Sequence, residues 1–104
     1  MFILLLTFSA NKSQAAAHMQ SHKDWIKRGL DEGVFLVVGS LQPATSAGEH
    51  KGKGGGAIIA HNTTRAELQA RVNDDPFVRE NVVSAEIIEV SPQQTDERLK
   101  FLLA

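Results

Sequence analysis

The sequence predicts an α+β fold in which strands and helices alternate as β-α-β-β-α-β, and three observations carry that expectation. Residues 2–8 are apolar on both alternating faces, as a strand covered on two sides must be. From about Gln14 to Glu32 apolar residues recur at spacings of three and four, stop at Gly33, and pass directly into a second apolar strand. The pattern then repeats over residues 54–90 as a glycine-led strand, a capped helix and a last strand. This order is the split βαβ arrangement of the ferredoxin-like fold, a four-stranded antiparallel sheet with both helices on one face.

In the first strand Phe2, Leu4, Leu6 and Phe8 share one face and Ile3 and Leu5 the other, which favours a central position. Residues 9–13 (Ser-Ala-Asn-Lys-Ser) break the run and offer helix caps at Asn11 or Ser13. Along the first helix Ala15, Met19, His22, Ile26 and Leu30 share one face, while Lys23, Lys27 and Arg28 are expected in solvent. Trp25, the sole tryptophan, flanks the stripe and is expected at an edge or an intermolecular seam. Gly33 accepts the left-handed conformation that ends the helix.

Strand two spans Val34 to Leu41 and closes at Pro43, and residues 43–53 form a polar, glycine-containing loop suited to the rim of a pocket. Strand three covers Ala57 to His61. Thr63 or Thr64 caps the second helix, with Glu67 completing a capping box on Thr64 and with Leu68 and Val72 as the apolar stripe. Asp74-Asp75-Pro76-Phe77 ends that helix and opens a short turn, and residues 82–90 supply the last strand. Residues 1–92 therefore read as one domain. Residues 93–104 read as an amphipathic tail whose Leu99, Leu102 and Leu103 need a surface.

Two helices cover one face of a four-stranded sheet, yet strands one, two and four are apolar on both. A second copy packed sheet against sheet would cover the remainder, with the tail lying across the seam, so a homodimer is expected. At 104 residues the chain has the size of a single domain, and its net charge of −1 gives no reason to expect nucleic acid or membrane as a partner. The absence of cysteine excludes disulfides, thiolate catalysis and Cys-ligated zinc, and fits a cytoplasmic protein. The apolar start lacks a basic leader, is followed by Asn11-Lys12-Ser13, and is too short to span a bilayer, so a buried strand is preferred to a signal peptide.

His22 is the best candidate for chemistry: a neutral imidazole takes and returns a proton near neutral pH, and a carboxylate on its other nitrogen would fix its tautomer. A core histidine satisfied by a backbone carbonyl is the plain alternative. Asp75, followed by Pro76, is a standard N-cap, and a cap leaves one carboxylate oxygen free to orient a histidine. Ser40 shares a strand face with Val38 and Leu36, where it would donate to a substrate oxygen or simply tie down the loop. It lacks the glycine pattern of a nucleophile elbow, so hydrolysis ranks below proton transfer. His18 and His22 are four apart, a spacing that can hold a metal, but no third ligand is evident and no metal or cofactor is expected. Lys51 and Lys53 among glycines do not follow the phosphate-loop order, and His50 and His61 are expected at the surface.

Three segments together resemble the YciI-like (YCII-related) family of the dimeric α/β-barrel superfamily. They are His22 through Gly33 into Val34-Phe35-Leu36-Val37-Val38-Gly39, then Gly55-Gly56-Ala57-Ile58-Ile59-Ala60, and Asp74-Asp75-Pro76-Phe77-Val78. The resemblance covers most of residues 2–90. It implies a ferredoxin-like protomer that dimerises through its sheets, and an active site built around a His–Asp pair that falls on His22 and Asp75. Ser40 stands where relatives carry proline or serine. By similarity to a dehydrochlorinase member and to muconolactone isomerase-like cousins, the implied chemistry is proton transfer or elimination on small cyclic organic acids or phenols. The leading reading is a cofactor-independent enzyme of lyase, isomerase or dehydrochlorinase type, with His22 as acid/base, Asp75 orienting it and Ser40 binding an oxygen. The alternatives are a metabolite-binding domain without turnover, and a His–Asp pair that only stabilises the dimer.

Overall fold

The computed structural model describes residues 1–42 and 53–103. The loop expected as a pocket rim, with Pro43, His50 and Lys51, lies outside the described residues except for Lys53. Strands β1 (Phe2–Phe8), β2 (Phe35–Leu41), β3 (Gly55–Ala60) and β4 (Val83–Glu89) form one sheet in the order β2-β3-β1-β4, with every neighbouring pair antiparallel. Helix α1 (Ala15–Asp31) joins β1 to β2, and α2 (Arg65–Asn73) followed by the single turn α3 (Pro76–Arg79) joins β3 to β4. Each crossover returns its strand parallel to the one it left with one strand between them, and that strand comes from the other βαβ unit. The doubly apolar β1 is indeed an inner strand.

The register sets the faces. Leu4 lies opposite Ile58 and Ile87, and Phe2 opposite Ala60, on the side that carries the helices. There Phe2, Leu4, Leu6, Ile58 and Ala60 are buried with Trp25 of α1, Leu68 and Val72 of α2, and Phe77 of α3. A slip of one residue would turn the whole β1 set to the opposite face, so this core also fixes the pairing.

Helix α1 meets the sheet on a face rotated from the expected stripe. Trp25 and Gly29 are its buried residues, whereas Met19 and Leu30 are exposed. The reason is steric: a Cβ at Gly29 would fall 2.2 Å from the Phe35 ring, so only glycine lets helix and strand approach this closely. Hydropathy gives glycine no weight, so the sequence pattern undervalues that face. Trp25 lies at the centre of the core rather than at a seam, and its Nε1–H donates to the Arg71 carbonyl at 2.8 Å, so burial leaves the indole satisfied.

The helix ends divide in the same way. Neither Asn11 nor Ser13 caps α1 with its side chain; a 3-10 turn over Lys12–Gln14 leads in, and Ser9 Oγ accepts the Asn11 N–H instead. Gly33 terminates the helix at φ +75°, with its N–H on the Leu30 carbonyl. At α2 both capping-box bonds form: Glu67 N–H donates to Thr64 Oγ1 (3.1 Å) and Thr64 N–H to Glu67 Oε1 (3.0 Å). Strand β3 starts at Gly55, earlier than expected, because Gly55 and Gly56 still pair with Thr7 and Leu6. A Cβ on Gly55, which has φ +136°, would fall 1.8 Å from the Leu6 carbonyl oxygen.

The sheet face away from the helices carries Ile3, Leu5, Ala57, Ile59, Val37 and Ile88, and Val37 is 56% exposed. Beyond β4 a 3-10 segment, Glu97–Leu103, is kinked at Leu99. Its Phe101 packs edge-on against His61 at 5.4 Å, so His61 is half-buried rather than free at the surface, and Leu99, Phe101 and Leu103 are exposed. Among the described residues no helix is long and apolar enough to cross a membrane.

Candidate active site

His22 lies midway along α1, one turn before Trp25, and Asp75 is the N-cap residue of α3. The two are 53 positions apart in sequence, yet His22 Nδ1 and Asp75 Oδ1 are 2.7 Å apart. The Asp75 side chain is 0% exposed and that of His22 12%. A carboxylate only accepts, so Nδ1 carries the proton and donates, and in the neutral ring Nε2 holds the lone pair. The same Oδ1 also accepts the Phe77 N–H at 3.1 Å.

Cap and histidine therefore share one carboxylate oxygen, contrary to the expectation that each would take its own. An oxygen with two lone pairs can serve both donors, while Oδ2 is buried without a partner among the described residues. Phe77 holds the pair twice over. Its amide fixes the carboxylate, and its ring lies flat on the imidazole at 3.9 Å and 4°. Trp25 stacks more loosely on the same imidazole, at 5.9 Å and 23°. A ring held by a hydrogen bond to a buried carboxylate and by an aromatic face has little freedom to turn.

His22 forms part of the wall of a cleft of about 330 Å³ between α1 and the sheet, within the size range of small-ligand sites. Leu6, Phe8, Ile26, Val38 and Phe77 give it an apolar lining, and Gly39, Gly55 and Gly56 leave strand backbone open to it. Ser40, opposite Gly56 in the register, lines the same cleft. All three candidate residues thus belong to one region, with His22 and Ser40 on the cleft and Asp75 directly behind His22. No hydrogen bond joins Ser40 to His22, so a Ser–His–Asp relay is not assembled.

Elsewhere the charged candidates fall apart. Asp74 lies outside the cleft, on the groove shared with Arg28 and Arg79, and Asp31 pairs with Lys27 on the surface. Among the described residues no group of three or more His, Asp or Glu side chains stands together to hold a metal, and the Nδ1 of His22 is already engaged. A second groove of about 340 Å³, near Trp25 and Arg71, is lined mainly by charged and polar residues, including the Arg71–Glu32 ion pair at 2.9 Å, and holds no histidine.

Two residues at the site were not singled out by the sequence. In the sequence Phe77 stands only as part of a turn motif, although its place two residues after a cap aspartate brings its amide to the carboxylate. Lys23 was expected in solvent; it is exposed, but it also lines the cleft beside His22.

A family model described as the YCII-related domain matches residues 1–91 of the chain. Among solved structures, a similar one is 5-chloro-2-hydroxyhydroquinone dehydrochlorinase from Burkholderia phenoliruptrix in complex with 2,5-dihydroxybenzoquinone. The likeness has a TM-score of 0.64 and 15% sequence identity, and covers 86% of this chain and 93% of that one. At that identity the likeness extends to the fold. No curated protein matches the sequence significantly.

Proposed function

The chain belongs to the YCII-related domain family, and we propose that it is a cofactor-independent enzyme using His22 and Asp75 for acid/base chemistry on a small cyclic organic acid or phenol. One observation carries this reading: an imidazole bonded through Nδ1 to a fully buried carboxylate forms part of the wall of an apolar cleft. Nε2 takes a proton from a C–H or O–H of the bound ring, and the Asp75 carboxylate stabilises the imidazolium that forms. The Ser40 hydroxyl donates to the oxygen on which negative charge develops. In an isomerisation the proton returns to another ring atom. In a dehydrochlorination the electron pair left behind forms a new double bond, and chloride departs with the pair of the C–Cl bond. A dehydrochlorinase of the same fold fits this reaction class.

The test is incubation of the protein in D₂O with a panel of ring acids, hydroquinones and their chlorinated analogues, followed by NMR and chloride release. Deuterium incorporation at a ring carbon, or loss of chloride, is expected for at least one member and above the protein-free rate. Tight binding of a panel member without either change would favour the rival reading, a metabolite-binding domain of the same fold. The largely apolar wall of the cleft supports binding as well as turnover.

We further propose that the open sheet face closes against a second copy, that residues 93–104 lie along that seam as an appendage of a 1–92 domain, and that the protein is cytoplasmic. Ile3, Leu5, Ile59 and Val37 form a continuous apolar surface that a monomer would leave in water. Light scattering is expected to give twice the chain mass of 11.3 kDa. Ile59→Asp, at the centre of that face, is expected to give a folded monomer; an unchanged dimer would place the interface elsewhere.

A further inference from the structure

We infer that the cleft takes its substrate as a planar anion, with the Lys23 ammonium as the counter-charge at its rim. This rests on the reading of the cleft as the active site. Among the described residues Lys23 is the one lysine or arginine of the lining, and no aspartate or glutamate lines the cleft. Lys23 also has no acidic partner among them, whereas Lys27 pairs with Asp31, Arg71 with Glu32 and Lys100 with Glu97. A second cation stands near: the Lys12 ammonium lies 5.1 Å from the centre of the ring of Phe8, itself a lining residue. Positive charge at the mouth of the cleft, beside low-dielectric walls, concentrates its field there and draws anions to it, while the Asp75 carboxylate lies behind His22 and outside the lining.

The helix explains the placement. Lys23 follows His22 by one position, about 100° around α1, so the imidazole faces the sheet while the lysine stem leaves along the helix flank. Four flexible carbons let the ammonium swing over the apolar mouth. An anionic group held there is anchored away from Nε2, and the rest of a single ring then lies against Phe8, Val38 and Phe77. The shared chemistry is one negative charge in the plane of the ring, from a carboxylate or from an ionised ring oxygen. Lys23 binds that charge; it is not asked to move a proton.

The test is a titration of the full chain, followed by ¹H–¹⁵N NMR, with benzoate, ionised 2,5-dihydroxybenzoquinone and uncharged benzamide. The parent is compared with Lys23→Met, which keeps the stem and removes the charge on an exposed position. Both anions, or the one whose geometry suits the cleft, are expected to shift the Val38, Ser40 and Phe77 amides and to lose affinity about tenfold in Lys23→Met. Their binding to the parent is expected to weaken with added salt, and benzamide to bind weakly and alike in both proteins. A response to one anion alone identifies the source of the charge. If an anion binds the cleft equally in both proteins, or benzamide binds the parent as tightly as benzoate, the anion inference fails while the cleft remains a ligand site. If no probe moves those amides, the inference and the active-site reading fall together.

Discussion

Replacing His22 by asparagine is expected to lower the turnover found in the ring-acid panel by a factor on the order of 10²–10⁴, the usual worth of a positioned acid/base group. Asparagine suits the test because its Nδ2–H can still donate to Asp75 Oδ1, so the buried carboxylate keeps a partner while Nε2 is lost. Asp75→Asn probes the other half. Both bonds to Asp75 fall on Oδ1, so an amide can retain them by turning its carbonyl oxygen to Phe77 N–H and His22 Nδ1–H. The charge facing the imidazolium disappears, and the amide NH2 takes the buried Oδ2 position, which has no partner among the described residues. A charge-assisted hydrogen bond contributes about 1.5–3 kcal/mol, so a loss of about 10- to 100-fold in rate is expected.

The ¹⁵N shifts of the His22 ring give an independent readout. The Nδ1–H tautomer is expected to persist in Asp75→Asn and the cleft amides to stay in place. Full turnover in His22→Asn would remove acid/base catalysis by this residue. A rate unchanged in Asp75→Asn would reduce Asp75 to a helix cap. Asp75→Ala is the less informative variant, because it leaves both His22 N–H and Phe77 N–H without their buried acceptor and tests stability as much as chemistry.

The parts of the fold legible in the sequence are those with a local cause. The two-faced apolar run of β1, the left-handed Gly33, the Thr64–Glu67 box and the Asp75-Pro76 cap each depend on a few adjacent residues. The β-α-β-β-α-β order then leaves little freedom in how the strands pair. The face of α1 was not legible, because close approach at Gly29 and the bulk of Trp25 decide it, and neither registers in a hydropathy pattern. The His22–Asp75 pair is a related case. Each residue has a sufficient local explanation, as a helix-stripe residue and as a cap, and nothing in the spacing joins two positions this far apart in sequence. Only the family resemblance put them side by side. Phe77 and Lys23 follow once the pair is in place, since each is within two positions of one of its members.

Trp25 is where the fold and the site bear on one another, and Trp25→Ala carries the largest stability loss expected for this chain, about 3–5 kcal/mol. Three contributions add in one direction. The indole is 1% exposed among the core residues, it packs edge-on against Phe35 at 5.1 Å, and its Nε1–H bonds the Arg71 carbonyl. Gly29 and Phe35 already fill the neighbouring space, so little can move in to close the cavity. Trp25→Phe keeps most of the packing and loses the hydrogen bond, and is expected to cost about 1–2 kcal/mol. Urea unfolding at one fixed protein concentration reads both losses as shifts of midpoint with unchanged slope. Because Trp25 also stacks on the imidazole, the His22 ring resonances are expected to broaden in Trp25→Ala while the Asp75 bond keeps its tautomer. A loss below about 1 kcal/mol in Trp25→Ala would return the tryptophan to an edge of the protein, and would require a different face of α1 to meet the sheet.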